Sequence, residues 1–322
     1  MRKIVSFILC AGLLFNVMGC GKSGNENKKV SDNDKTQKSF LEPFDTSGVI
    51  EETVLVNNNG IIITATGIDY TDNSADINIK VENKTDKNIS VYSNTVSYSW
   101  NSVNGLMVPA GYLACDVLAG ETVEDTVSFG YSSLELYGIR SIADIEIGFS
   151  ISDDEYNELY KGIGKIETSL KGSYDYSINY YQKTINDKRI KNKYKYTMKT
   201  FEKEELFNVN DVQIISKAIL KNKEEDSALL LEIINESEHD YYISTSNIYF
   251  NDILIEENSY STEGLRAGKK SIVDFSLTSL LEGAETDITN LKDISKIKFT
   301  LTIKDSNTYS DLYSDEIEVS VP

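Results

Sequence analysis

Two stretches of this chain alternate apolar and polar side chains in the same register. Ile145, Ile147, Phe149 and Ile151 alternate with Asp144, Glu146, Gly148 and Ser150, and Ile297, Phe299, Leu301 and Ile303 alternate with Lys296, Lys298, Thr300 and Thr302. The offset is 303 minus 151, or 152, and it recurs between Asn83 and Asn235 (235 minus 83), each of which ends another alternating run. Those runs are Ile77-Asn78-Ile79-Lys80-Val81-Glu82-Asn83 and Leu229-Leu230-Leu231-Glu232-Ile233-Ile234-Asn235. Between them, Leu118-Ala119-Gly120 matches Arg266-Ala267-Gly268, each before a further run holding Val127 and Phe129 or Phe275 and Leu277. A register recovered after insertions and deletions marks an internal duplication.

Side chains of period two lie on one face of a strand, so each copy supplies half-buried antiparallel strands. Several such strands at a spacing of roughly 8 to 15 residues read as a β-sandwich. At 322 residues the chain has room for two such cores. The boundaries expected are 46–170 for the first sandwich, 171–203 for a connector and 204–322 for the second. Ile79, Val81, Ile147 and Phe149 should be core. Trp100, the one tryptophan, is expected to pack as a core or rim aromatic.

Residues 1–19 read as a secretory leader. Arg2 and Lys3 precede an apolar stretch from Ile4 to Val17, of about 14 residues and too short to span a bilayer. The segment Val17-Met18-Gly19-Cys20 resembles the bacterial lipobox, with the small Gly19 before the cysteine; Val17 and Met18 depart from its more usual Leu and small residue. The resemblance implies cleavage before Cys20 and lipid on its sulfur. At about 0.8 kcal/mol per buried methylene, two acyl chains suffice for stable attachment. Residues 20–45 are polar and form a lipidated, disordered tether with a reach on the order of 25 to 30 Å. The expected location is extracytoplasmic, lipid-anchored to the bacterial cell membrane.

Asn59-Gly60 before Ile61-Ile62-Ile63, then Gly67-Ile68, Asn83-Lys84-Thr85-Asp86-Lys87-Asn88-Ile89, Val103-Asn104-Gly105 and Ala119-Gly120 resemble uncharacterised immunoglobulin-like domains of bacterial lipoproteins. The match covers most of 54–170 and, more weakly, 204–322, where the Val-Asn-Gly element is missing. It implies an all-β chain of two tandem immunoglobulin-like antiparallel β-sandwich domains without catalysis, and brings no active-site motif.

With 51 acidic against 32 basic residues the formal charge is -19. Loss of Arg2 and Lys3 with the leader makes it more negative. Phosphate backbones would be repelled, so nucleic acid is excluded as a partner. Cys10 falls in the leader and Cys20 is lipidated, which leaves Cys115 without a disulfide partner; its apolar run, Gly111 to Leu118, makes it a buried, inert thiol.

Residues 171–203 are the basic, aromatic exception: Tyr174, Tyr176, Tyr180 and Tyr181 are followed by Lys183, Lys188, Arg189, Lys191, Lys193, Lys195, Lys199 and Lys203. Two readings compete. Lys188, Arg189, Lys191 and Lys193 could contact an anionic surface; alternatively the segment is a hairpin turning at Asn186-Asp187, with lysines guarding its edges.

Few chemistries have their residues here. His239 is the one histidine and sits in a polar turn, so hydrolytic triads have no base to spare, and no Gly-x-Ser-x-Gly elbow occurs. Clustered Cys and His for zinc are missing, as are phosphate-binding glycine fingerprints, so neither metal nor cofactor is expected. Asp153-Asp154-Glu155 reads as a solvated loop, though acids of this kind could bind calcium or serve a glycosidase. The 20 tyrosines could line a carbohydrate surface, or simply pack in strands. The expectation is a noncatalytic lipid-anchored surface protein, a binding or spacer module with an envelope protein or glycan as partner. The alternative is an envelope glycan hydrolase using paired carboxylates.

Overall fold

The computed structural model describes residues 43–93, 101–200, 207–222, 226–258, 261–284, 286–288 and 290–321. The leader, Cys20, most of the tether and Trp100 lie outside the described residues.

The first copy begins with β1 (Thr53–Asn58), β2 (Ile61–Tyr70), β3 (Ser74–Asn83), β4 (Ile89–Ser93), β5 (Asn101–Val103) and β6 (Leu106–Val108). β7 (Leu113–Val117), β8 (Thr122–Gly130), helix α1 (Tyr131–Leu136), β9 (Asp144–Asp153) and β10 (Glu158–Glu167) complete it. One sheet has the order β1-β2-β3-β8. In the other, β9 pairs with β10, β4 and β5, and β4 pairs with β7. Two antiparallel sheets, with β3 beside β8 in one and β9 between β10 and β4 in the other, give an immunoglobulin-type sandwich. Ile79, Val81, Ile147 and Phe149 are all buried in its core.

The second copy contains β12 (Asn208–Val209), β13 (Val212–Asn222), β14 (Ser227–Asn235), β15 (Tyr241–Phe250), β16 (Ile253–Glu256) and β17 (Ser261–Leu265). β18 (Lys270–Ser276), β19 (Lys296–Asp305) and β20 (Asp311–Ser320) finish it. β13, β14 and β18 lie side by side as β2, β3 and β8 do, and β15, β19 and β20 repeat β4, β9 and β10. Phe250, Phe275 and Phe299 are buried in this second core.

The duplication extends to hydrogen bonds. Asn83 Nδ2 donates to the Lys87 and Val117 carbonyls while its Oδ1 accepts from Thr85; Asn235 Nδ2 donates to His239 and Leu265 while its Oδ1 accepts from Ser237. The Asn104-Gly105 turn, with both φ positive, has its counterpart in Asn251-Asp252, also both positive. Asn104 Oδ1 accepts from the Ala143 and Asp144 amides, and Asn251 Oδ1 from those of Ser295 and Lys296. The Val-Asn-Gly element is therefore present in the second copy as Phe250-Asn251-Asp252, because Asp also tolerates the left-handed conformation a two-residue hairpin requires.

A short helix that the strand periodicity does not announce follows β8, and its equivalent α4 (Leu277–Gly283) follows β18, where the Ser276 side chain accepts from the Ser279 amide as an N-cap. Each inserts apolar side chains at one end of its sandwich, Leu134 in the first and Leu277 and Leu280 in the second.

The connector is not a hairpin at Asn186-Asp187. It forms helices α2 (Tyr180–Asn186) and α3 (Lys188–Tyr194), and Asp187 caps α3 by accepting from the Arg189 amide. A type I′ hairpin turn at Asn186-Asp187 would need positive φ at both residues, whereas Asp187 is extended and its carboxylate satisfies a helix N-terminus. Tyr181 and Ile185 join the first core, and β11 (Tyr196–Thr200) then pairs with β13 of the second domain.

The domains meet end to end. Leu106 on β6 pairs in parallel with Lys270 on β18, and the Lys270 amide donates to the Gly105 carbonyl at 3.0 Å. Ile272 of the second domain packs into the first core. Among the described residues no helix is long and apolar enough to cross a membrane.

Candidate functional site

The four basic residues offered as possible anionic-surface contacts have different roles. Lys193 Nζ reaches the Glu135 carboxylate, which is 1% exposed and also takes Arg140 Nη1 at 2.8 Å and the Tyr194 hydroxyl. Burial pushes the Glu135 carboxyl up, but the hydrogen bonds from Lys193 and Tyr194 and the Arg140 charge outweigh it and hold the group below its ordinary value. Lys193 is therefore a joint between α3 and the first domain. Arg189 pairs at 2.7 Å with Asp187, its own helix cap. Lys188 is exposed and Lys191 half-buried, so the set does not form one open basic face.

Two further buried carboxylates complete the fastening. Glu146 on β9 receives Arg266 Nη2 at 2.6 Å and Lys269 at 2.9 Å from the second domain, with Lys165 at 3.3 Å. Here too burial raises the carboxyl, and Lys269, Arg266 and Lys165 together bring it below the ordinary range. Glu232 on β14, 1% exposed, accepts from Asn179, Gln182 and Ser216, which ties the start of α2 to the second domain. One carboxylate thus locks each pair among first domain, connector and second domain. β9 is thus buried on both faces at this end, with Asp144 and Glu146 buried beside the fully buried Ile145.

The same junction leaves a hollow of about 240 Å³ lined by Tyr137, Tyr174, Tyr176, Tyr180 and Tyr181, with Asn104, Glu232 and Lys270 among its polar groups. A second hollow of about 230 Å³ is also lined by Tyr174 and Tyr180 and adds Asp45 and Arg140; the two adjoining hollows are the tyrosine trough beside the connector. None of these tyrosines is in a strand: they lie just after α1, in the loop before α2, and on α2. Tyr174 stands edge-on to Tyr176 with centroids 4.8 Å apart and tilts against Tyr180 at 5.2 Å. The Tyr176 hydroxyl donates to Asp144, which Lys171 also holds at 2.6 Å, and Lys171 lies 4.9 Å over the Tyr176 ring. Burial pushes the phenols of Tyr174 and Tyr176 up to about 12, so both are neutral donors near pH 7.

The remaining candidates have structural roles or stand apart. Asp153 accepts Lys87 at 2.7 Å and organises its turn through Asn157, so the Asp153-Asp154-Glu155 cluster holds a hairpin. Among the described residues no group of three or more metal-binding side chains occurs. His239 is exposed in the β14–β15 turn. Cys115 is a free thiol 9% exposed, pushed up to about 11 by burial and the nearby Asp125 and Asp116 charges.

Neither a family model nor a curated protein matches this chain. Solved structures that align with it include red sea bream transglutaminase, at 8% identity over 83% of this chain and 32% of that one, with a TM-score of 0.23. Another is the exo-chitosanase CsxA of Amycolatopsis orientalis in complex with PNP-β-D-glucosamine, at 11% identity, 78% and 26% coverage and a TM-score of 0.22. A third is the chaperone–tip adhesion subunit pre-assembly complex of the archaic chaperone–usher Csu pili of Acinetobacter baumannii, at 10%, 76%, 90% and 0.21. The chain spans about a third or less of the first two, and scores at this level say nothing of its activity.

Proposed function

We propose that this is a noncatalytic, lipid-anchored protein of the bacterial envelope that carries a binding site on a rigid spacer of two sandwiches. The observation that carries this reading is the fastening of both domains and the connector by Glu135, Glu146 and Glu232. A flexible string would not bury charges at each joint, because a buried carboxylate is tolerated only with fixed partners. The anchor is proposed on Cys20. Residue 45 lies against the inner end of the first domain, where its amide donates to Arg140, so a tether would hold the molecule at its waist, beside the trough.

Binding is favoured over glycan hydrolysis by the state of the trough's acids. Glu232, held by Asn179, Gln182 and Ser216, is the one carboxylate lining the first hollow, and Asp45 the one lining the second, so no two carboxylates line the same hollow. A glycosidase needs one acid and one base free to face the same bond.

Two experiments test the proposal. Metabolic labelling with an alkyne fatty acid should tag the membrane-bound chain, and Cys20→Ala should abolish the tag and release the protein. Affinity capture from envelope extracts with the Cys20→Ala chain should retain a saturable partner. An untagged wild-type chain would remove the anchor, and glycan cleavage by the purified protein would reverse the noncatalytic assignment.

A further inference from the structure

The tyrosines at the domain junction form an aromatic grouping outside the strands. Tyr174 packs edge-on to Tyr176 at 4.8 Å and tilted against Tyr180 at 5.2 Å, so the three rings form one aromatic cluster lining the hollow. Tyr176 is 43% exposed with Lys171 over its ring and its hydroxyl fixed to Asp144, so the ring is accessible from solvent in a defined orientation. A trough at a domain junction, with aromatic walls and a few fixed polar groups, has the composition of small-ligand sites. Its charged lining residues balance, Glu232 with Lys270 in the first hollow and Asp45 with Arg140 in the second, so the walls present ring faces and neutral phenols without net charge. Aromatic faces suit ligands with flat apolar surfaces and polar rims.

We propose that this trough binds a short, uncharged saccharide, stacked on Tyr176 and Tyr180 and hydrogen-bonded at its edges. The proposal rests on the binding-module reading and names the ligand class for it. Anionic glycans fit less well, since the chain is strongly acidic and Arg140 at the trough already serves Glu135.

The test is calorimetric titration of the Cys20→Ala chain with chitotetraose, cellotetraose and maltotetraose. At least one should bind saturably. Tyr176→Ala and Tyr180→Ala should each weaken that binding about tenfold, equivalent to about 1.4 kcal/mol. Tyr176→Phe, which keeps the ring, should stay within about twofold, about 0.4 kcal/mol. Tyr156→Ala, at a turn where the side chain is 90% exposed, should leave affinity unchanged. If Tyr180→Ala fails to fold, the exposed Tyr176 pair of variants still decides. No heat with any of the three sugars, or equal losses in Tyr156→Ala and Tyr176→Ala, overturns the proposal. A chain that captures an envelope partner yet binds no saccharide loses this ligand class only. One that retains nothing loses the binding-module reading as well.

Discussion

Replacing Glu146 by alanine removes the carboxylate on which Arg266, Lys269 and Lys165 converge. Breaking a buried pair by removing one partner costs about 3–5 kcal/mol, most of it from the charge left behind. Arg266 is 3% exposed, so its guanidinium cannot simply return to water. The Asp240 charge still acts on it, and Lys165, with 73% of its side chain exposed, adds little. The low end, about 3 kcal/mol at pH 7, is therefore expected, and at about 2–4 °C per kcal/mol it lowers Tm by about 6–12 °C. Because the loss falls on the joint, the domains should also uncouple. Urea unfolding followed by the fluorescence of Trp100, whose sequence position lies in the first copy, should separate from unfolding followed by circular dichroism, whereas the two coincide in the parent. The pair Glu146→Leu with Arg266→Met should lie closer to the parent than Glu146→Ala. The gap should also close in acid: the folded Glu146 carboxyl sits below its ordinary value of 4.5, so its stabilisation is complete above about pH 4.5 and disappears as pH falls through the folded value. Coincident transitions with a change below about 1 kcal/mol would refute the clamp.

Asn83→Ala and Asn235→Ala should each cost about 1–3 kcal/mol, since each strips the Nδ2 donor from carbonyls at the same turn of its copy; chemical denaturation checks this, and a loss in one copy alone would contradict their equivalence. Glu263, pushed up to about 7 by burial and the Asp274 charge, binds a proton in the folded state that the unfolded chain has lost, so stability should fall as pH rises from about 4.5 to about 7. Glu263→Gln should remove that slope and gain about 2 kcal/mol at pH 8, measured by urea titration at several pH values; an unchanged slope would count against it. Cys115 should resist maleimide at pH 7.5 and react fully in denaturant, as mass spectrometry would show; rapid native labelling would mean the thiol is open.

How much of this was legible follows from what each signal measures. Period-two alternation depends on one buried face, and β3 shows it cleanly: its ten residues alternate between half-buried and buried. The turns were legible through Asn, which either tolerates positive φ or ties neighbouring backbone, as at Asn104 and Asn83. The helices α1 and α4 were hidden because six or seven residues are too few to display a 3.6-residue period. The partner of Lys193 was not legible because a lysine run is the same string whether it meets solvent or a buried Glu135 far away in sequence. The tyrosine trough was visible only as composition. Nothing local places Tyr137 beside Tyr174 and Tyr181; the packing of α2 against the first domain does.

The residues that make the joint are those at which the two copies differ. Glu146 corresponds to Lys298 at the offset of 152, and Lys298 pairs at 3.2 Å with Glu316 on its own sheet. Arg266 corresponds to Leu118, which is 54% exposed at the opposite pole of the first domain. A head-to-tail contact between identical repeats would continue without end, since each new copy offers the same surface again. Here the second copy presents a lysine where the first presents the clamped carboxylate, and the first presents a leucine where the second presents the clamping arginine. The contact that fastens these two domains therefore cannot recruit a third of the same kind. Duplication supplied the sandwich twice, and divergence at Glu146/Lys298 and Leu118/Arg266 made the pair both asymmetric and finite. That asymmetry creates a single junction for the connector to fill, and the tyrosines of α2 and its preceding loop occur at that junction alone.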